Sequence, residues 1–283
     1  MDPKLLALVT AVAFGVTPVI LKIGFRRGGS TTAAMIIGLV VAVPITCVPA
    51  LLIGVDVGLL TPAAFVAFVL GGLAGNAVGR RWNFQAIDLL GPSRASAIRS
   101  SSPVVTTLLA AVLYAEPVTP ARWAAVLAIV VGVTLVTWQP GESRRTWLGI
   151  GMAYAFAGAV SYGIRPLIIK FGLEEANLPA AAAVIGAVAA LVYMALIDRE
   201  RLRSVRQDSA FGLFVVAGIL VAVGLTTLTF GLSEGDVSIV YPLVASAPLF
   251  TLVFTALMLK GVELLNWRIA VGAVAVVFGV IFL

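Results

Sequence analysis

The chain has 283 residues, of which 61% are hydrophobic and 11% charged, and its mean hydropathy is +1.10. A soluble domain carries about 25% charged residues, so a single soluble core is excluded and the chain reads as an all-α integral membrane protein. The net charge of +6 comes without basic clusters interleaved with stacking aromatics; this argues against a nucleic-acid partner and assigns the charge to loops beside membrane spans.

Apolar runs long enough to cross ~30 Å of hydrocarbon fall at 4–25, 31–54, 62–87, 94–115, 121–139, 147–171, 177–197, 209–232, 236–260 and 266–283. They are continuous rather than alternating, so ten helices are expected and not a β-barrel. Helix 1 contains GVTPVILKIG (Gly15–Gly24), and helix 6 contains GIRPLIIKFG (Gly163–Gly172). Helix 2 carries the single cysteine, Cys47, read as a buried small residue in an apolar run. Helix 3 carries Gly71, Gly75 and Gly79 at four-residue spacing, a close-packing stripe for a neighbouring helix.

Helix 4 contains SSSP (Ser100–Pro103), and helix 9 contains ASAP (Ala245–Pro248). Glu116 follows helix 4 as Glu263 follows helix 9, and Gly132 and Gly279 each lie 16 residues beyond those acids. These markers repeat in order at offsets of 148, 145 and 147. Residues 1–140 and 141–283 therefore read as two five-helix repeats. Five is odd, so the second enters the membrane from the opposite side, as in transporters built on inverted repeats. Pro18, Pro103, Pro166 and Pro248 fall mid-helix in two equivalent pairs and are expected to act as hinges around a central cavity. The tryptophans at span ends, Trp123, Trp138, Trp147 and Trp267, read as interfacial anchors.

The segments SPVVTTLLAAVLYAEPVT (Ser102–Thr119) with Gly132, and APLFTLVFTALMLKGVE (Ala247–Glu263) with Gly279, resemble the EamA branch of the drug/metabolite transporter superfamily. The likeness runs over nearly the whole chain, with Ala115 standing where that family often has Gly. It implies export or exchange of small metabolites, often amino acids, through a cavity between the halves.

All thirteen acids lie at helix ends or in loops, and histidine is absent. A buried proton relay thus lacks its usual carriers, which disfavours proton-coupled cation efflux. Ser-His hydrolysis and His-ligated metal sites are excluded. No catalytic residue, metal site or cofactor is assigned.

The basic residues differ. Arg80, Arg81, Arg99 and Arg165 each lie about six residues, or roughly 9 Å, from a span centre. An arginine facing lipid costs roughly 2.5–3.5 kcal/mol at mid-bilayer, so these side chains should face the bundle interior, pair, or snorkel. Asn76, Arg80 and Asn83 share one side of helix 3. Ser96, Arg99, Ser102 and Thr106 share one side of helix 4. Tyr154, Ser161, Tyr162 and Arg165 cluster on helix 6, and Ser238 and Tyr241 lie on helix 9.

On the repeat alignment Arg165 matches Thr17, Arg80 and Arg81 match Leu225 and Thr226, and Arg99 matches Val244. The architecture does not need arginine at both equivalent places, which points to a substrate pathway through Asn76, Arg80, Arg81, Asn83, Arg99, Ser102, Tyr154, Tyr162, Arg165 and Tyr241. An alternative is a cluster of Arg80, Arg81, Arg94 and Arg99 that snorkels to headgroups.

Secondary transport of small polar metabolites, amino acids or related carboxylates, by alternating access is the leading function. Exchange of phosphorylated metabolites, flipping of an anionic lipid-linked headgroup, and a non-transporting scaffold are the alternatives. The expected partners are a small-molecule substrate and the lipid bilayer of the cytoplasmic membrane. The ten-helix unit contains its own pseudo-dimer, so a monomer suffices and a homodimer is the alternative. The excess of Lys and Arg on loops 1–2, 3–4, 5–6, 7–8 and 9–10 places the termini outside, whereas the family resemblance implies cytoplasmic termini.

Overall fold

The structure is a computed structural model; it describes residues 2–113, 119–137, 149–198, 205, 208–234, 243–244, 246–259 and 267–282. The helices in chain order are α1 (Pro3–Arg26), α2 (Thr31–Ile53), α3 (Pro62–Leu90), α4a (Pro92–Arg99), α4b (Ser102–Leu113), α5 (Pro120–Thr137), α6 (Ile150–Glu175), α7 (Pro179–Ile197), α8 (Phe211–Glu234), α9 (Ala247–Met258) and α10 (Trp267–Ile281). With α4a and α4b as halves of one span, these are ten helices in an all-α fold of two inverted five-helix repeats. Of them α1, α2, α3, α6 and α7 are long and apolar enough to cross a membrane by themselves, while α5, α8, α9 and α10 hold shorter apolar stretches.

Local chemistry sets the helix starts. Asp2, Ser30 and Thr61 accept from the backbone N–H groups of Lys4, Ala33 and Ala64 at 2.9, 3.0 and 3.1 Å. Each capping oxygen satisfies a donor that the first turn leaves without a partner. Pro3 and Pro62 follow two of these caps at positions where the missing N–H costs nothing. Gly91, at φ 90°, ends α3 and reverses the chain into Pro92 and α4a, a conformation closed to residues with a Cβ.

The two repeats pack through duplicated close approaches. A Cβ added at Gly24 would strike the Phe214 ring, and one at Gly172 would strike the Phe68 ring. Gly72 meets Gly186 between α3 and α7, and Gly218 meets Gly38 between α8 and α2. Gly15 lies against Ala247 and Phe250 as Gly163 lies against Ser102 and Val105. Gly132 packs on Gly272 and Val276, and Gly279 packs on Ala125 and Ile129. Each contact maps onto its partner when the repeats are exchanged, which is the pseudo-two-fold axis. Small residues serve here because lipid tails offer no hydrophobic drive between helices, so association depends on close van der Waals approach.

Three features differ from the sequence expectation. Pro103 and Pro248 do not bend continuous helices: each is the second residue of a helix, α4b or α9, that starts after a break. Proline donates no N–H, which costs nothing in the first turn of a helix, where that donor has no intrahelical partner. Serine closes both breaks, Ser101 donating to the Ile98 carbonyl at 2.6 Å and Ser246 to the Leu243 carbonyl at 2.5 Å. Pro18 and Pro166 do lie inside continuous helices, α1 and α6.

Second, residues 73–79 of α3 form a π-helical segment, whereas α8 is α-helical over all its described length. Before this segment the α3-to-α8 offset is 146, from Gly72 and Gly218. A π turn closes its hydrogen bonds one residue further along the chain. The extra residue brings the offset to 145 beyond it and keeps Arg80 opposite Leu225. Third, Cys47 is only half-buried. Trp123 and Trp267 are exposed at helix starts; Trp138 and Trp147 lie outside the described residues.

Candidate functional site

The stripe of Gly71, Gly75 and Gly79 receives α6, which crosses it antiparallel. A Cβ at Gly71 would meet Ile169, one at Gly75 would lie 2.2 Å from Cδ of Arg165, and one at Gly79 would lie 3.3 Å from Ser161. The Arg165 stem thus crosses α3 where only glycine leaves room. Ser161 donates to the Ala74 carbonyl at 2.6 Å, inside the π segment. Interhelical bonds of this kind contribute about 0.6 kcal/mol on average in membrane proteins.

This seam sets the position of Tyr162, which becomes a hub. Its hydroxyl and Arg165 are the groups that act on the Arg80 guanidinium, the hydroxyl oxygen attracting it and Arg165 repelling it. Its ring carries the Arg99 guanidinium 5.9 Å from the centroid, within cation–π range. Arg80 is only 7% exposed. The Arg99 Nε is buried and has no hydrogen-bond partner among the described residues. Among the described residues, the groups acting on Arg80 and Arg99 are Tyr162 and Arg165, with no carboxylate among them. A buried cation normally has a counter-charge, because desolvating it alone costs several kcal/mol. This cluster is therefore chemically suited to receive an anion through paired, charge-assisted hydrogen bonds.

The other expected residues divide. Asn76 and Asn83 are buried on α3 with Arg80. Ser102 lies at the head of α4b, its carbonyl against Gly163, and Thr106 of the same helix donates to the Gly163 carbonyl at 2.7 Å. Tyr154 stands two turns along α6 from Tyr162, packed on the main apolar core. Arg81 is turned away from the cluster: its side chain is 38% exposed and pairs at 3.0 Å with Asp198 at the end of α7. The reason is rotational, since successive helix residues point about 100° apart. Tyr241 lies outside the described residues. Lys22 pairs with Asp88, its ammonium 3.8 Å from the carboxylate and also bonded to the Asp88 carbonyl. Among the described residues no group of three His, Cys, Asp or Glu side chains could hold a metal ion.

Sequence reasoning missed two things. Thr251 of α9 meets Ser96 of α4a at 3.2 Å with both buried, tying the broken helices of the two repeats together. The π segment, whose i→i+5 bonding leaves no periodic mark in seven residues, was also not legible.

The family model of the EamA-like transporters matches residues 3–138 and 149–283, one match to each repeat. The chain belongs to the EamA-like transporter family. As an EamA-like protein it is a multi-pass integral membrane transporter of the drug/metabolite transporter type. A solved structure titled only "Crystal structure of protein" has the same fold, with a TM-score of 0.67 at 18% identity over 99% of this chain and 97% of that one. No curated protein matches this chain. In this EamA-like chain the hub sits on one side of the pseudo-two-fold axis alone. The exchange of repeats that carries Tyr162 to Phe14 carries Arg165 to Thr17, Arg80 to Leu225 and Arg99 to Val244.

Proposed function

We propose that this protein is a secondary transporter of small organic anions, carboxylates or phosphorylated metabolites, which it exports or exchanges across the cytoplasmic membrane by alternating access. The repeats 1–140 and 141–283 are the two moving halves, and one chain is the working unit. Arg80 and Arg99 bind the anion, Tyr162 orients both, and Arg165 adds positive field. Asn76, Asn83 and Ser102 lie on the same helices to hold neutral substrate groups.

One observation carries this reading: buried Arg80 and half-buried Arg99 converge on Tyr162, and among the described residues no carboxylate acts on either. It favours carboxylates and phosphates over zwitterionic amino acids, whose ammonium group would want an acid at the same place. The test is counterflow in proteoliposomes loaded with dicarboxylates, inorganic phosphate, sugar phosphates or neutral amino acids. Anion exchange that Arg99→Gln lowers about tenfold or more, the value of one charge-assisted hydrogen bond, supports the reading. Exchange of neutral amino acids alone, or anion exchange indifferent to Arg80→Gln and Arg99→Gln, overturns it.

A further inference from the structure

Two kinds of contact hold the helices together. The seams of α3 on α6 and α7, and of α1 and α2 on α8, are glycine approaches where an added Cβ would press on the neighbour. The end of α3 meets α1 and α2 differently, through long side chains. Lys22 of α1 pairs with Asp88 at 3.8 Å and also donates to the Asp88 carbonyl. Gln85 donates to Oγ1 of Thr31, on α2, at 3.1 Å. The Phe25 ring of α1 stands 6.5 Å from the Phe84 ring, tilted by 57°.

The chemistry of this second contact suits a joint that opens. Water reaches it, since the Asp88 side chain is 43% exposed and that of Lys22 15%. Each polar group can exchange its partner for water, and a partly exposed ion pair contributes little. A glycine seam offers no polar group to water, and parting it forfeits close van der Waals contact.

A hinge lies where such a joint needs one. Residues 73–79 of α3 are π-helical, while Arg80–Leu90 is regular α-helix. Phe84, Gln85 and Asp88 all lie beyond the π segment. Such segments interrupt the regular hydrogen-bond ladder and are a common cause of kinks. Pro166 of α6 removes one backbone bond at the same level, beside the Arg165 stem that crosses Gly75. Arg80, Phe84 and Asp88 recur every four residues and follow one stripe, with Asp88 roughly 12 Å beyond Arg80. A pivot about the π segment carries all three together.

We propose that Arg80–Leu90 is a gate: pivoting about residues 73–79, it parts Lys22 from Asp88, Gln85 from Thr31 and Phe25 from Phe84, and opens the pathway on the side of the Gly28 and Gly91 turns. The structure is the state latched on that side. Arg80 sits on the moving piece, so an anion held there travels with the gate. That coupling alone rests on the anion-binding role of Arg80; the latch does not.

The test uses the full-length protein with Cys47→Ala, reconstituted in lipid nanodiscs. Spin labels at Arg27 and Leu89, two exposed residues that flank the latch, report the opening as a double electron–electron resonance distance. The expected result is a dominant short distance and a minor longer one. Asp88→Asn should raise the longer population about fivefold, the factor that one partly exposed ion pair supplies. The charge swap Lys22→Asp with Asp88→Lys should bring it back down. Gln85→Leu, which breaks the bond to Thr31, serves as the second variant should Asp88→Asn not fold, and it should also raise the longer population.

A single distance that neither variant changes overturns the inference. A lowered melting temperature with an unchanged distance does so too, and makes the contact a fixed structural one. The measurement needs no solute, so its failure leaves the anion reading standing, and a failure of anion counterflow leaves the latch standing.

Discussion

The α3–α6 face and the α8–α1 face occupy equivalent places in the two repeats and pack alike, but they carry opposite chemistry. On the first, Tyr162 gathers Arg80 and Arg99, and the Arg165 stem crosses Gly75. On the second, Phe14 presses on Gly224, Thr17 donates to the Ala13 carbonyl at 2.7 Å, and Thr10 and Thr227 join α1 to α8 at 2.8 Å. The repeated architecture needs glycine at the seams and something of aromatic size at position 14 or 162. It does not need charge. The charged groups of the first face are therefore additions to the fold, and the second shows what the fold does without them.

Making the first face resemble the second is the strongest way to break that comparison. The triple variant Arg80→Leu, Arg99→Val, Arg165→Thr should abolish anion counterflow, a loss of more than about a hundredfold if two charge-assisted bonds disappear. It should keep its melting temperature in detergent, because each new residue stands where the other repeat already holds it. A protein that no longer folds would mean the arginines are structural.

Gly72→Ala tests the packing half. Its Cβ would lie 2.2 Å from the Gly186 Cα, whereas a Cβ at Gly218 first meets Gly38 at 3.0 Å. Overpacking at Gly72 should cost about 1–3 kcal/mol, read as a lower melting temperature, and Gly218→Ala should cost less. Equal shifts would mean that the two seams are interchangeable.

Tyr162→Phe gives the hub the aromatic of the opposite face. It keeps the ring under Arg99 and removes the hydroxyl that attracts the Arg80 guanidinium. Anion counterflow should fall about three- to tenfold, in line with one polar interaction of about 1 kcal/mol, and so less than in Arg99→Gln. The smallest effect belongs to Arg81→Gln, which breaks a partly exposed pair with Asp198. It should change stability by no more than about 1 kcal/mol and leave anion affinity as it was; a loss of affinity matching that of Arg80→Gln would place Arg81 in the pathway after all.

The sequence alone determined the membrane class, the ten helices, the duplication and the inverted order, because hydropathy, helix length and repeated Gly and Pro markers are local quantities. It also predicted the glycine seam of α3 and marked the mid-span arginines as residues that lipid would not accept. Only the tertiary structure separated Arg80 from Arg81. Neighbours in sequence point about 100° apart, and the partner of Arg81 lies 117 residues away in Asp198. The convergence on Tyr162 is likewise a product of how α6 crosses α3 and approaches α4, the π segment of how residues 73–79 accommodate one more residue than α8, and the latch of how the end of α3 meets α1 and α2. These follow from relative helix placement, which short-range periodicity does not encode.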